Sequence, residues 1–228
     1  MNASSPLETL ESAARELGVP LSAAQLNLFR LYLDFLLERG EVTNLTADLE
    51  PEKIALRHFA DGLAAARVLD EFAPHPEPKV ADVGSGAGFV GVSLKIARPE
   101  ILMTLIEPSQ KRFDFLNLLV LKLGLKGLRL ARKKMPQDCG TLSGTFDVVL
   151  ERALAPLPDA LSLCWPLLKT GGFVAAYQSE PADLADKALS RRLDLLSARL
   201  VKSVPYRLRG ETRDRHLALF EKPAQEMN

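Results

Sequence analysis

Cysteine is scarce in this chain: Cys139 and Cys164 are the only two in 228 residues, far apart and without a flanking metal-ligand pattern. This argues against a disulfide-stapled secreted scaffold and fits buried thiols in a reducing compartment. There are only three histidines, and no evident acid–base pair accompanies them. No apolar run approaches the ~18 residues of a membrane span. The N-terminus is polar rather than basic and then apolar, so no signal peptide is expected and the cytoplasm is the expected location. An excess of one charge is missing too, since 29 basic residues balance 29 acidic ones. Bulk electrostatics therefore give no nucleic-acid signal. Repeats and low-complexity tracts are absent. What remains is 47% apolar and 25% charged, globular values in a length that suits one ordinary core.

Against these absences stands one dense stretch, Lys79-Val-Ala-Asp-Val-Gly-Ser-Gly-Ala-Gly-Phe-Val-Gly91. A short apolar run ends in an acid and meets a turn rich in glycine, which lets backbone pass close to a bound small molecule. The pattern predicts a strand, a tight turn and a helix packed closely on the sheet, the makings of a nucleotide-type site. Gly86-Ala-Gly88-Phe-Val-Gly91 also fits the G-x-G-x-x-G dinucleotide fingerprint. Two features favour S-adenosylmethionine instead. Asp82 stands at the mouth of the turn, where its charge repels a pyrophosphate and suits an ammonium and a sulfonium. Glycines at positions 84, 86 and 88 leave a wider turn than a pyrophosphate cradle needs. The plain alternative is a strand-to-helix turn whose glycines only permit packing.

The rest of the chain frames this turn. Ser5 with Glu8, and Ser22 with Gln25, read as capping boxes that open two helices, the first stopped at Gly18 and the second running to Gly40. A third helix is predicted from about Pro51 to Leu69, and the proline-rich segment 73–78 makes a stiff linker. An alternating pattern follows, the signature of a parallel sheet covered by helices. Strands are predicted at 80–83, 101–106, 128–131, 146–150, 173–177, 200–206 and 216–220. Helices are predicted at 90–97, 111–123, 157–168 and 183–196, with a turn at Gly171-Gly172.

Candidate site residues gather at predicted strand ends. Glu107 closes the second strand, where a carboxylate can accept both hydroxyls of a ribose. Arg152, at the end of the fourth strand beside Glu151, is placed to hold a base or a phosphate. Its plain alternative is an ion pair with an acid. Asp147 sits too deep in the same strand to touch substrate. Six cations fall between residues 122 and 134 without an acid, and Arg207, Arg209, Arg213 and Arg215 form a second, acid-interrupted cluster. Such patches neutralise phosphates or merely face water. His58 is either a catalytic residue or a histidine at the edge of the core.

Several segments in order resemble one family, the bacterial small-subunit ribosomal RNA N7-guanine methyltransferases of the RsmG type, also called glucose-inhibited division protein B. They are Asn44-Leu-Thr-Ala47, Arg57-His-Phe-Ala-Asp61, the Asp82–Gly91 loop, Phe146-Asp-Val-Val with Arg152-Ala-Leu-Ala-Pro-Leu157, Leu167–Gly172, and Arg215-His-Leu-Ala-Leu-Phe-Glu-Lys222. The resemblance implies a class I methyltransferase fold. Its α/β, Rossmann-like, mostly parallel seven-stranded sheet would occupy residues 73–228 behind a helical cap of residues 1–72. It implies S-adenosyl-L-methionine as donor, guanine N7 of 16S rRNA as target, and the rRNA or small ribosomal subunit as partner; apart from the resemblance, nothing in the sequence suggests a metal or an obligate dimer, so a metal-free monomer is expected. Donor contacts are then expected from the loop residues Asp82, Gly84, Ser85, Gly86, Gly88 and Phe89. Glu107 would take the ribose, Met135 and Pro136 would flank the adenine, and Arg152 would stand beside donor and substrate. Phe89 is also a candidate to stack on a base. The chain departs from the family's usual residues at Val90, Lys134–Pro136, Glu151, Gln178-Ser179 and Gly62. A methyltransferase acting on a small molecule or protein, and an RNA-binding assembly factor with little turnover, are the competing readings.

Overall fold

The computed structural model describes residues 5–43, 50–73 and 75–224. The segment Asn44–Ala47 and residue Pro74 of the linker lie outside the described residues. No described helix is long and apolar enough to cross a membrane.

The N-terminal helices begin where local chemistry says they should. At α1 (Pro6–Glu16), the Glu8 amide donates to Ser5 Oγ and the Ser5 amide donates to Glu8 Oε2, a closed capping box. Ser22 and Gln25 exchange the same pair of bonds ahead of α2 (Ala23–Thr43). Gln25 also reaches outward: its Nε2 donates to the carbonyls of Ile96 and Ala97 at 2.9 and 3.1 Å. One side chain thus caps the start of its own helix and the end of another. The third helical stretch, read as one regular helix, is composite. A single turn α3 (Pro51–Lys53) widens into a π-type segment Ile54–Ala60, then tightens into α4 (Asp61–Phe72). Such widening is rare in ordinary helices and common near functional sites.

The sheet has seven strands in the order β3-β2-β1-β4-β5-β7-β6. They are β1 (Lys79–Val83), β2 (Leu102–Ile106), β3 (Leu128–Ala131), β4 (Phe146–Arg152), β5 (Leu168–Gln178), β6 (Arg199–Tyr206) and β7 (Arg215–Glu221). Every pairing up to β5 is parallel; β7 runs antiparallel to both β5 and β6. The order reverses between β1 and β4, so the carboxyl edge opens there into a crevice. Pro205 is tolerated in β6 because that strand is an edge.

Helices α5 (Gly91–Ala97) and α6 (Gln110–Leu123) join α1, α2 and α4 on one face of the sheet. Helices α7 (Leu157–Cys164) and α8 (Lys187–Leu196) cover the other. Side chains alternate accordingly: Val80 packs with the N-terminal layer, while Ala81 and Val83 pack toward α7. Three expected boundaries move, one being the helix expected from 183, which starts at Lys187 behind an Asp186 cap. Helix α7 ends at Cys164 in a short 3-10 turn over Trp165–Leu167, since Pro166 lacks the amide that a continuing helix needs. The expected turn at Gly171-Gly172 lies inside β5, where it shifts the register against β4 between Phe146 and Val148.

Helix α4 approaches the glycine loop closely enough to leave no room for a side chain at Gly62. A Cβ built there would lie 2.2 Å from the Phe89 carbonyl oxygen, a backbone atom that cannot swing aside. Gly62→Ala should therefore lower unfolding stability by about 1–3 kcal/mol through overpacking. Denaturant titration checks this, and an unchanged midpoint would show that the loop yields.

Candidate active site

The site is built where the carboxyl ends of β1, β2 and β4 meet. After β1 the chain turns back, and the amides of Gly84 and Ser85 both donate to the Ile106 carbonyl at 2.9 and 3.2 Å. Gly88 holds φ at +89°, with Val92, Leu116 and the Tyr32 hydroxyl around the space a Cβ would occupy. Backbone geometry and crowding both require glycine there. The N-terminal layer braces the turn, since Tyr32 donates its hydroxyl to the Ala87 carbonyl at 2.7 Å.

Two acids organise the turn from below. Asp82 is 2% exposed and points inward, accepting from the Gly91 amide at 3.0 Å at the start of α5. Burial raises its carboxyl from 3.8 to about 6, against the lowering pull of that amide and of Arg152. Ser85 donates its hydroxyl to the Asp82 carbonyl. Glu107, also 2% exposed, accepts from the Gly86 amide with one oxygen and the Ser109 amide with the other, both at 2.9 Å. Each oxygen keeps a lone pair for a further donor.

Two cavities open along this edge and share Ala153. The smaller, about 280 Å³, is lined by Gly84, Glu107, Met135 and Leu154, with Arg112, Lys133 and Lys134 also in its wall. The larger, about 640 Å³, is bordered by Arg152, Glu151, Gln178, Tyr177 and Arg215. Ala153 is a non-glycine residue at φ 55°, an uncommon backbone state. Of the expected residues, Gly84, Glu107 and Met135 border the first cavity and Arg152 the second. Asp82, Ser85, Gly86, Gly88, Phe89 and Pro136 shape the turn and its surroundings without lining either.

Arg152 donates to Asp61 Oδ2 at 2.8 Å, so the ion pair weighed as its plain alternative is present. Asp61 is 2% exposed, and its other oxygen accepts from the Tyr206 hydroxyl at 2.7 Å and from Arg215 at 3.2 Å. Arg215 also grips Glu211 through two nitrogens at 2.9 and 2.6 Å. Its pKa is raised further by that hydrogen bond. Phe89 is buried, its ring lying parallel to His58 at 4.2 Å with the Arg152 guanidinium 5.8 Å from its centroid. His58 lines neither cavity. Asp147 lies at the opposite end of β4, holding the Lys79 amide and Lys169.

Each cation of the second arginine cluster has an acid beside it: Arg207 pairs with Asp214 and Arg215 with Glu211 inside the cluster, while Arg209 faces Glu16 and Arg213 faces Glu180 from outside it. Asp61 and Tyr206 escaped the sequence reading as site residues, because the partners of Asp61 lie 91, 145 and 154 positions along the chain. An acid heading the apolar run Leu63–Ala66 was the available signal.

Glu151 is 1% exposed, with Oε1 accepting weakly from Gln178 at 3.4 Å. Its Oε2 has no hydrogen-bond partner among the described residues.

A reversing sheet, a glycine turn and a strand-end acid beside a divided crevice define a Rossmann-like ligand site, and solved structures share the fold. The 16S rRNA (adenine(1408)-N(1))-methyltransferase of Catenulisporales acidiphilia matches with TM-score 0.53 at 18% identity, over 68% of this chain and 91% of that one. The ribosomal protein L11 methylase of Lactobacillus delbrueckii subsp. bulgaricus matches with TM-score 0.53 at 16% identity, over 74% and 79%. At these identities the likeness establishes the class I methyltransferase fold alone. Sequence goes further: the family model for rRNA small subunit methyltransferase G, GidB, matches residues 25–216. The Ribosomal RNA small subunit methyltransferase G of Bacillus cereus (strain AH187) is 35% identical over 219 residues, 95% of this chain and 90% of the relative. The chain belongs to the rRNA small subunit methyltransferase G family.

Burial raises the Glu151 carboxyl from 4.5 to about 7, helped by the neighbouring Asp82 carboxylate and opposed by the Leu154 amide and Gln178. The folded protein therefore binds a proton there that the unfolded chain releases between those values, so stability falls as pH rises through that window. Glu151→Gln should be the more stable form at pH 8, by about 1–3 kcal/mol, with the gap shrinking toward pH 5. Unfolding curves at both pH values check it; a gap of the same size at both would mean the carboxyl titrates normally.

Proposed function

We propose that this chain transfers a methyl group from S-adenosyl-L-methionine to N7 of a guanine in small-subunit (16S) ribosomal RNA. The observation that carries this reading is the pair of cavities meeting at Ala153, one beside a strand-end acid and one beside a pinned arginine. The smaller suits an adenosyl group. Glu107 has spare lone pairs for ribose hydroxyls, Ile106, Met135 and Leu163 offer apolar cover for a purine, and the Gly84 backbone permits close approach. The larger takes the RNA base. When bound, the donor supplies a methyl group made electrophilic by positive sulfur.

The residues present suit a reaction governed by placement. Guanine N7 carries an in-plane lone pair and no proton, so no general base is required. The acids at the site are engaged in structure or buried, and His58 is stacked on Phe89 and lines neither cavity. Holding the base in line, near ~3–3.5 Å from the methyl carbon, is then the main contribution. Arg152 is the positioning group we assign to it, with the Asp61 carboxylate fixing the guanidinium. Asp82, Ser85, Gly86, Gly88 and Phe89 serve the donor by holding the loop, and Pro136 by setting Met135. We assign no direct chemical role to His58. Residues 1–72 act as a helical cap on a transferase domain of residues 73–228. The partner is the rRNA itself or the small ribosomal subunit, met in the cytoplasm by a monomer without metal.

Labelled donor, offered with intact small subunits, naked rRNA and a cell extract, tests the reading. Label mapped to guanine N7 in small-subunit rRNA is the expected result. Label confined to metabolites or proteins would point to another substrate, and donor binding without transfer would point to an assembly factor. Arg152→Ala leaves Asp61 with Tyr206 and Arg215, so it should stay folded at reduced stability and bind adenosylhomocysteine within about threefold. Its methyl transfer should fall roughly 10²–10³-fold, the scale of one lost preorganised donor. An unfolded variant would make the arginine structural.

A further inference from the structure

The buried carboxylate at the end of β4 is not explained by donor binding or by packing. Glu151 borders the larger cavity and not the smaller, which places it with the RNA base rather than with the donor. A buried polar atom without a partner is costly and rare in native proteins. Here the unpartnered atom, Oε2, sits one residue from the arginine assigned to the substrate. Register pairs Glu151 with Val83, the last residue before the glycine turn, so the carboxyl stands where β1 and β4 diverge. Gln178 Nε2 touches Oε1 at 3.4 Å and bonds the Tyr177 carbonyl at 2.9 Å. It leaves Oε2 to another donor, and Gln178 is only partly buried, so its side chain has room to turn aside and admit one.

We propose that Glu151 grips the target guanine by its N1–H and N2–H₂ edge and selects guanine over other bases. The inference rests on the function proposed above. A carboxylate is acceptor-only, and guanine is the purine that offers two adjacent donors on its Watson–Crick edge. Adenine places a lone pair at N1, which a carboxylate repels. Enzymes acting on extruded bases commonly read this edge. Gripped there, the base keeps N7 and its lone pair free on another edge, as the reaction demands. The approaching N–H groups also favour the ionised carboxylate, offsetting the burial that raises its pKa in the free protein.

The test uses the full chain and a substrate RNA carrying guanosine or inosine at the mapped position. Inosine keeps N7 and N1–H and lacks the N2 amino group. Wild type should prefer guanosine by roughly tenfold to a hundredfold in kcat/KM, the range of a good bidentate base contact. Glu151→Gln, which keeps the shape and fills the cavity equally, should lose most of that preference and bind adenosylhomocysteine unchanged by calorimetry. A Glu151→Gln enzyme that keeps the full preference overturns the proposal. So does one that loses adenosylhomocysteine affinity, since the carboxylate would then hold the donor's ammonium. A wild type that binds adenosylhomocysteine and labels no RNA overturns the functional reading and this inference with it. Normal guanine labelling indifferent to Glu151 overturns the inference alone.

Discussion

A carboxylate removed from water has to be met by charge and hydrogen bonds, and Asp61 meets that demand by drawing three chain segments together. Arg152 comes from the end of β4, Tyr206 from the end of β6 and Arg215 from the start of β7, while Asp61 itself opens α4. Stripping the partners from such a group costs on the order of 3–5 kcal/mol, far more than an exposed ion pair contributes. Surface pairs such as Arg15–Glu11, both well exposed, carry little by comparison. The helical layer is therefore locked to the edge of the sheet at the border of the larger cavity. The guanidinium of Arg152 keeps a fixed position because its partner cannot leave.

The glycine turn depends on that docking. Helix α4 rests on the Phe89 carbonyl through Gly62, α2 bonds the Ala87 carbonyl through Tyr32, and Gln25 caps α5 from the same helix. Asp82 completes the arrangement from inside. The sequence suggested that its charge faces a bound cation; in the fold its carboxylate faces the amide at the start of α5, where a helix favours negative charge. Glu107 acts from the neighbouring strand in the same way and keeps capacity for one more set of donors.

Glu151 stands apart from the other acids of the site. Every other acid of the site has amide, hydroxyl or guanidinium partners, whereas this one has an oxygen with none among the described residues. Local departures from the rules of a well-satisfied core concentrate at working sites. The strained Ala153 follows two positions later and separates the two cavities. These features are adjacent in sequence, at the switch point of the sheet, where ligands of open α/β sheets bind.

Sequence alone determined the strands, the glycine turn, the helix starts and the acid closing β2, because these follow from short-range rules. Alternation, capping chemistry and backbone freedom act over a few residues, so Ser5 with Glu8 or the run from Lys79 to Gly91 declares itself. The shift of Gly171-Gly172 into β5 and the widened turn through His58 escaped, since pairing with a distant strand and packing of a layer override local preference. Only the tertiary structure decided which way the charged side chains face. It turned Asp82 inward, tied Arg152 to Asp61, buried Phe89 against His58 and left one oxygen of Glu151 without a partner. Charge is satisfied by whatever the fold brings within about 3 Å, and that neighbour can lie a hundred residues or more along the chain.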